Sequence, residues 1–579
     1  MKYKIHINTS DYSDWILYDE ENMQQIDNAE SILNPIKHKL FNCDILDNNL
    51  NIINSAIRED TNIPGILLLL GKTYGRSKNN NKIYYKCIPN DNRLPAFLIP
   101  YDQKCNKFNK NITNRYILFK YIEWSNKHPI GVITNMLGEI SNLSSFYEYQ
   151  LYCKNLAISI KEFTKTVDKK IKQSDNIPYI TNIMKQNPSI ENRLDDYIFT
   201  IDPIGSMDLD DGMSINDNVI SIYIANVPIL MEYFDLWNSF SERISTIYLP
   251  DRKRPMLPTL LSENLCSLLE NENRFAFCMD IKIDKAGVTN ISFCNALIKV
   301  KKNYRYDDIK LLEKDISYQR ILNNTKMICD KYKYIKEIKD SHDLVAFLMI
   351  LMNYECANKM FKLKDGIYRT LKLIKHNGSE TINNTNNQIP DNVYNFIKIW
   401  QSSSGQYTNY DNKSSHDLIG PGLDNYIHIT SPIRRLVDLL NIMKLQDKLE
   451  LIPMSLNAKI FYNTWLNRLE YINTTMRSIR KIQTDCNILN QCVNNPDILN
   501  KIFDGYVFDK IKWENQYLQY TIYIPEIKII SRINIKEDLL EYSCWKFKLY
   551  LIEDGVTLKK KIRAEKCDQI ASQVIVKNK

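Results

Sequence analysis

Four carboxylates fall within ten positions of the segment Thr200–Ser214, namely Asp202, Asp208, Asp210 and Asp211, with no lysine or arginine among them. Acids this close raise one another's pKa and repel, so the segment needs a divalent cation or a solvated loop around it. The residues that follow favour something stiffer than a loop. Met213-Ser-Ile215, a polar Asn216-Asp-Asn218 turn and Val219–Val227 read as a β-hairpin. The acids then sit at the mouth of a buried strand pair, where carboxylates seldom go without a partner. Oxygen donors with no histidine or cysteine nearby point to Mg²⁺ or Mn²⁺ rather than zinc. Such a site suits phosphoryl transfer. A calcium loop is the nearest structural rival, because Asp208-x-Asp210-x-Gly212 imitates its opening. Its turn glycine comes one place early, however, and its twelfth position is Val219 rather than glutamate. On spacing alone a solvated acidic loop stays open.

Three further blocks narrow the choice. They are Ile244-Ser-Thr-Ile-Tyr-Leu-Pro-Asp-Arg-Lys-Arg-Pro-Met-Leu-Pro258 running on to Leu261–Leu268, the apolar stretch Leu344–Asn353, and Tyr426-Ile-His-Ile-Thr-Ser-Pro-Ile-Arg-Arg-Leu-Val-Asp438. Together with the acidic segment, and in this order, they resemble the RNase II/RNase R superfamily, the RNB-domain 3′-to-5′ exoribonucleases that include the catalytic subunit of the exosome. The resemblance runs from about residue 195 to 500. It implies hydrolysis of single-stranded RNA from the 3′ end to nucleoside 5′-monophosphates, with Mg²⁺ (or Mn²⁺) held by Asp202, Asp208, Asp210 and Asp211. Asp210 corresponds to the acid on which the chemistry most depends. Arg434 resembles the arginine that stabilises charge at the scissile phosphate, a task suited to a planar, always-charged guanidinium. The plain reading of Arg434 and Arg435 is a helix-start ion pair with Asp438. Tyr248 resembles a tyrosine that holds the 3′-terminal nucleotides, its plain reading being a tyrosine in the core wall. Tyr304, Arg305 and Arg435 complete the expected RNA contacts.

There are departures from the family pattern. Asp365 stands where one branch has a clamping phenylalanine before Gly-Ile-Tyr, Tyr368–Leu371 replaces a Leu-Leu-Arg-Arg-His block, and the usual His-Arg pair is missing near Ile442-Met443. The family's late glutamate has no clear counterpart around Ile472–Ser478. These changes bear on how the 3′ end is gripped rather than on the metal centre.

The remainder is read around this core. The expected fold class is a multidomain α+β protein: a central RNB catalytic domain of mixed sheet and helices, flanked by N-terminal OB/cold-shock-like β-barrels and a C-terminal OB barrel. The boundaries expected are 1–60 unassigned, 61–110 and 111–160 as two OB/cold-shock-like domains, 161–194 a lysine-rich helical connector, 195–500 the RNB domain, and 501–579 the C-terminal OB domain for RNA. With 44% apolar residues the chain can bury sizeable cores. Its longest apolar runs fall far short of the ~20 residues a spanning helix needs, and the start is acidic where leader peptides are basic or apolar. A soluble, intracellular or cytoplasmic, unsecreted protein is expected, working as a monomer or as a subunit of an RNA-degrading complex. Thirteen cysteines without a Cys-x-x-Cys pair read as reduced thiols.

The net charge of +8 is modest for 579 residues. Lys299–Tyr306 interleaves bases with aromatics, as single-stranded nucleic acid favours, whereas Lys559–Arg563 is expected to be a solvated strand face. Gly65–Thr73 imitates a phosphate-binding loop, but five residues separate its glycines and a leucine run builds a strand, so an ATPase is rejected. Two other classes stay open: an inactive RNB-fold RNA-binding or scaffold protein, and a metal-dependent nuclease with a non-RNA substrate.

Overall fold

Alternating and continuous apolar runs between Glu191 and Arg305 give five strands that close on themselves. In a computed structural model, Glu191–Asp202, Asp211–Asn216, Val219–Ala225, Asn273–Asp284 and Gly287–Arg305 form a closed barrel in that order. The structure describes residues 2–78, 81–102, 112–174, 179–284, 287–332, 338–370, 389–390, 393–394, 396–397, 400, 405–412, 425–513, 517–554 and 560–567. The expected hairpin is present. Asn216 pairs with Val219 across a two-residue turn in which Asp217 has φ 48°, and Val227 opens the next helix instead of ending the strand. The barrel closes by parallel pairing of its first and last strands, which brings Asp202 opposite Arg305. Phe199, Met213, Ile222, Phe277 and Met279 fill its core.

The same core takes in the helix Ser341–Lys362. By length and composition this helix could cross a membrane, but Leu344, Phe347, Leu348, Leu351 and Met352 are buried inside the protein. The apolar stretch Leu344–Asn353 lies within it, and Tyr354 and Glu355 continue the helix without a break. The third sequence block crosses from extended chain into the helix Leu436–Lys448. The strands Ile502–Lys512, Leu518–Ile524 and Ile529–Ile535 make an antiparallel meander.

The described residues divide into two compact units, one within 158–483 and 503–546, the other within 2–157, 484–502 and 547–567. In the second unit, residues 1–60, unassigned from sequence, build a four-stranded sheet from Tyr3–Ile7, Trp15–Asp19, Ile45–Leu46 and Ile52–Asn54. Between 61 and 160 the expected barrel fold is present once rather than twice: a six-stranded sheet closes on itself where its first strand also pairs with Ile83–Pro89. Its strand Arg115–Glu123 pairs with both Ile63–Leu67 and Ile130–Glu139, and Ile63–Leu67 also pairs with Ile83–Pro89. A boundary at 110/111 would cut Phe119 from Phe97, whose rings lie 4.9 Å apart in one core with Phe41. Gly65 sits in a buried strand, where an added Cβ would come within 2.8 Å of Cys87 Sγ and of Phe119. That is the close approach that the rejected phosphate-loop reading had left without a reason. Lys560–Lys566 forms a hairpin strand with Lys561 and Arg563 exposed; Lys559 lies outside the described residues. The cysteines among the described residues are free.

Candidate active site

The loop joining the first two barrel strands carries the acids, and apolar anchoring explains its shape. Gly205, at φ +80°, turns the loop, and Leu209 is buried between Asp208 and Asp210. Leu209 N–H donates to Ser267 Oγ (3.0 Å), Leu268 N–H to Leu209 O (3.0 Å), and Ser267 Oγ to Met207 O (2.8 Å). Ala225 N–H reaches Asp210 O at 2.8 Å. The second sequence block therefore clamps the first, and the carboxylates on either side of Leu209 meet different partners.

Asp208 accepts from Tyr248 Oη (2.8 Å) and from Lys253 Nζ (2.9 Å), and Lys253 also pairs with Glu263 at 2.7 Å. Asp210 accepts from Ile433 N–H (2.9 Å) and from Arg434 Nε (3.1 Å). Burial pushes the Asp210 carboxyl up to about 7, against the pull of Arg434 and the Ile433 amide. Burial, opposed by a Thr200 hydrogen bond and Arg434, raises Asp202 to about 6. Asp211 is driven well above the carboxylate range by burial and then by Asp202 and Asp210.

Arg434 and Arg435 separate completely. Arg435 takes the plain reading, donating to Asp438 Oδ1 at 2.8 Å, with its other arm 3.5 Å from His428 Nδ1. Arg434 turns instead to Asp210 and to Ser431 Oγ (2.9 Å), and keeps 44% of its side chain exposed. A guanidinium that pairs with a buried acid while facing solvent can meet a phosphate.

Tyr248 is exposed, not part of the core wall, and its hydroxyl leads to Asp208. Tyr304, expected to contact RNA, is buried: its hydroxyl donates to Asp315 (2.8 Å) and its ring meets Phe199 edge-on at 5.8 Å. The period-two strand geometry splits the whole Lys299–Tyr306 stretch. Lys301 donates to Leu194 O, Lys302 pairs with Glu270, and Asn303 bonds Thr200 and Leu268 O. Arg305 is exposed at the strand end opposite Asp202. One residue near the acids was not singled out by the sequence: Lys253 was hidden in a run of three bases. Tyr306, the last of the interleaved stretch, stacks on His342 with centroids 3.7 Å apart. Burial and then Asp211 and Asp202 raise the Tyr306 hydroxyl, which places it beside the acids. Asp365, at the expected clamp position, is tied to Lys444 (3.2 Å) and Lys448 (3.3 Å).

The donor set fits a hard divalent cation. Asp202 Oδ2 is buried without a hydrogen-bond partner, and Asp202 and Asp211 each disfavour the other's charge. The four acids do not converge, however: among the described residues no three carboxylate, histidine or cysteine side chains are gathered at ligand spacing. Lys253 and Tyr248 hold Asp208, and Arg434 holds Asp210.

Comparison with known proteins agrees with the fold and the ordered blocks. The RNB domain matches residues 192–321 and 313–450, and the Dis3-like cold-shock domain 2 matches residues 84–148, across the boundary expected at 110/111. Ribonuclease R of Chlamydia pneumoniae is 25% identical over 380 residues, covering 54% of this chain and 53% of that protein. DIS3-like exonuclease 2 of Schizosaccharomyces pombe is 33% identical over 215 residues, covering 34% and 22%. The matched stretch is thus about half the length of the bacterial relative. The structure of Mycoplasma genitalium RNase R in complex with ribose methylated single-stranded RNA superposes with TM-score 0.63 at 16% identity, over 98% of this chain and 97% of that one. Yeast Ssd1, described as a pseudonuclease, superposes with TM-score 0.57 at 12% identity, over 92% and 78%. With a barrel, an acid loop and an arginine block in the order that the sequence resemblance required, residues 192–450 carry an RNB domain, and the chain is similar through it to the RNase II/RNase R superfamily.

Proposed function

We propose that the protein is a hydrolytic exoribonuclease that shortens single-stranded RNA from its 3′ end to nucleoside 5′-monophosphates, with Mg²⁺ or Mn²⁺ as cofactor. The observation that carries this reading is Arg434, half-exposed and paired with the buried Asp210 at the mouth of the barrel. Asp202 and Asp211 would hold the cation, joined by Asp208 when Lys253 yields it. A cation there supplies Lewis acidity and an activated water to the phosphodiester, in the manner of two-metal sites. The protein's own part is positional. Asp210 and Ser431 orient the Arg434 guanidinium so that it can neutralise charge growing on the phosphate. Tyr248 offers an exposed ring to a terminal base.

A second reading is an inactive RNA-binding protein on the same fold. It is favoured by the acids being held apart, two of them by protein cations, and by the replaced clamp at Asp365. One experiment separates the two. A 5′-labelled single-stranded RNA is incubated with Mg²⁺ and either the parent protein or Asp210→Asn. Progressive shortening from the 3′ end by the parent alone supports the nuclease. Intact RNA with both proteins, yet retarded in a mobility shift, supports the inactive binder. A matched DNA strand run alongside tests the substrate.

A further inference from the structure

A second cationic feature lies away from the acids, where the strand Gln406–Asn409 meets the start of the helix Leu469–Asn494. The two walls are locked together by one amide. Asn473 Oδ1 accepts from Tyr407 N–H at 2.7 Å, and Asn473 Nδ2 donates to Tyr407 O at 2.9 Å, so the side chain completes a strand edge. Between them opens a cavity of ≈ 420 Å³, lined by Gln406, Tyr407, Asn409, Glu470, Asn473 and Arg477 among others.

Three arginines gather here. Arg477 is exposed on the cavity wall, while Arg369 is buried with its guanidinium 5.1 Å from the Tyr407 ring centre. Gly405 leaves room for Arg369, since a Cβ there would lie 3.2 Å from Arg369 Nε. Arg480, one turn after Arg477, lies close enough to both for its ionisation to fall to about 10, through burial first and then through Arg369 and Arg477. Like charges brought together and partly desolvated are relieved by an anion. Glu470 is the acid on the wall and is exposed. The cavity is also joined to the acid site. Tyr407 Oη is 2.7 Å from His428 Nδ1, which is 3.5 Å from Arg435, the immediate neighbour of Arg434.

We propose that this cavity binds a backbone phosphate of the RNA chain away from the scissile bond, gripped by Arg477 with Arg369 and Arg480 behind it. The inference rests on the RNA reading above and adds to it a second holding point. A planar guanidinium on an open wall suits a phosphodiester, and the relay through His428 and Arg435 suits a chain whose end lies at Arg434.

The test uses the full chain carrying Asp210→Asn, so that RNA stays intact, and measures its affinity for a labelled single-stranded RNA across a series of KCl concentrations. Adding Arg477→Gln should weaken binding and lower the slope of log K against log salt by about 0.7, the loss of one phosphate contact. Arg477→Lys should restore most of that slope. An unchanged slope and affinity in Arg477→Gln would overturn the proposal. Inorganic phosphate is titrated in parallel by thermal melting. Phosphate protection that needs Arg477, with an unchanged RNA slope, would make this a small-anion site and would equally overturn the backbone assignment. An Arg477-dependent slope together with a parent protein that never shortens RNA would uphold the contact while sinking the nuclease reading.

Discussion

Asp208 and Asp210 each carry a cation of the protein's own, Lys253 at 2.9 Å and Arg434 at 3.1 Å, whereas Asp202 and Asp211 form no ion pair among the described residues. The acids belong to one loop and its flanking strands, so local sequence does not distinguish them. Direction does. Asp208 meets Lys253 of the second sequence block, and the buried Asp210 meets Arg434 of the third. Asp202 and Asp211 close the ends of barrel strands and face a region where charge is disfavoured by burial and by each other. One half of the cluster is thus internally neutralised, and the other has no cation of the protein's own among the described residues. The difference assigns separate work to acids that composition treats as equivalent.

Arg434 is where this contrast breaks most visibly. Arg434→Met should leave a buried Asp210 without its cation, a loss that destabilises the fold unless the acid takes up a proton and that solvent at the half-exposed guanidinium keeps below the cost of a fully buried pair. On the nuclease reading the same change removes the group that meets the phosphate, and kcat should fall about 10²–10³-fold. Arg435→Met touches only the Asp438 pair and the His428 edge. It should therefore lower the melting temperature and spare more of kcat. Equal loss of kcat in both variants would refute the division of labour between the adjacent arginines.

A second test compares the two halves by pH. Asp202 and Asp210 have an ordinary value of 3.8 but reach about 6 and about 7 in the folded protein. Between those values the folded state binds more protons than the unfolded chain, so stability falls as pH rises. Their contribution is fully present below about 3.8 and is lost as pH passes 6 and then 7. With chelator present, the melting temperature should drop across that window, by an amount reflecting a few kcal/mol. Millimolar Mg²⁺ should abolish the drop at its upper end, because the cation binds the ionised carboxylates. A metal-free curve that rises from pH 4 to 7 would contradict the placement of both acids.

Lys253→Met sharpens the comparison with a smaller effect. It moves Asp208 into the class of acids without a cation, at the cost of leaving Glu263 alone as well. The Mg²⁺ concentration giving half-maximal thermal protection should fall several-fold, in line with ~1–2 kcal/mol for a charged hydrogen bond removed from competition. If Lys253 merely supports the fold, that concentration will stay put while the melting temperature drops.

How far the sequence spoke follows from the same geometry. The acid loop, the hairpin after it and the arginine block were legible because each rests on short-range patterning: period-two strands, a polar two-residue turn, charged residues with no local partner. That Arg434 and Arg435 would part company was not legible, since it depends on Asp210 approaching from more than two hundred positions away. The strands of 61–160 were divided between two barrels, where they close into one, because regular strand spacing says nothing of which strands pair. Residues 1–60 were opaque for a related reason: their strands are short, and their core residues, such as Phe41, also pack on distant ones such as Phe97. The interleaved bases and aromatics of Lys299–Tyr306 suggested an RNA face, yet a strand sends alternate side chains to opposite sides, and Tyr304 went inward.

Tyr304 and Tyr248 make the smallest and most specific contrast. Both hydroxyls donate to an aspartate at 2.8 Å, but one ring is buried and the other exposed. Tyr304→Phe should cost about 1 kcal/mol of stability for the bond to Asp315 and leave the affinity for single-stranded RNA, measured in the Asp210→Asn background, unchanged. Tyr248→Phe keeps a ring to stack on and loses only the bond to Asp208, so its RNA affinity should change little too. Tyr248→Ala removes the ring, and stacking on an aromatic is worth ~1–3 kcal/mol per base, so affinity should fall by roughly tenfold with little change in melting temperature. The three variants together tell ring from hydroxyl and core from surface. Were Tyr304→Phe to weaken RNA binding as Tyr248→Ala does, the buried position of Tyr304 would not be the one that meets RNA, and the strand would have to shift by one residue to expose it.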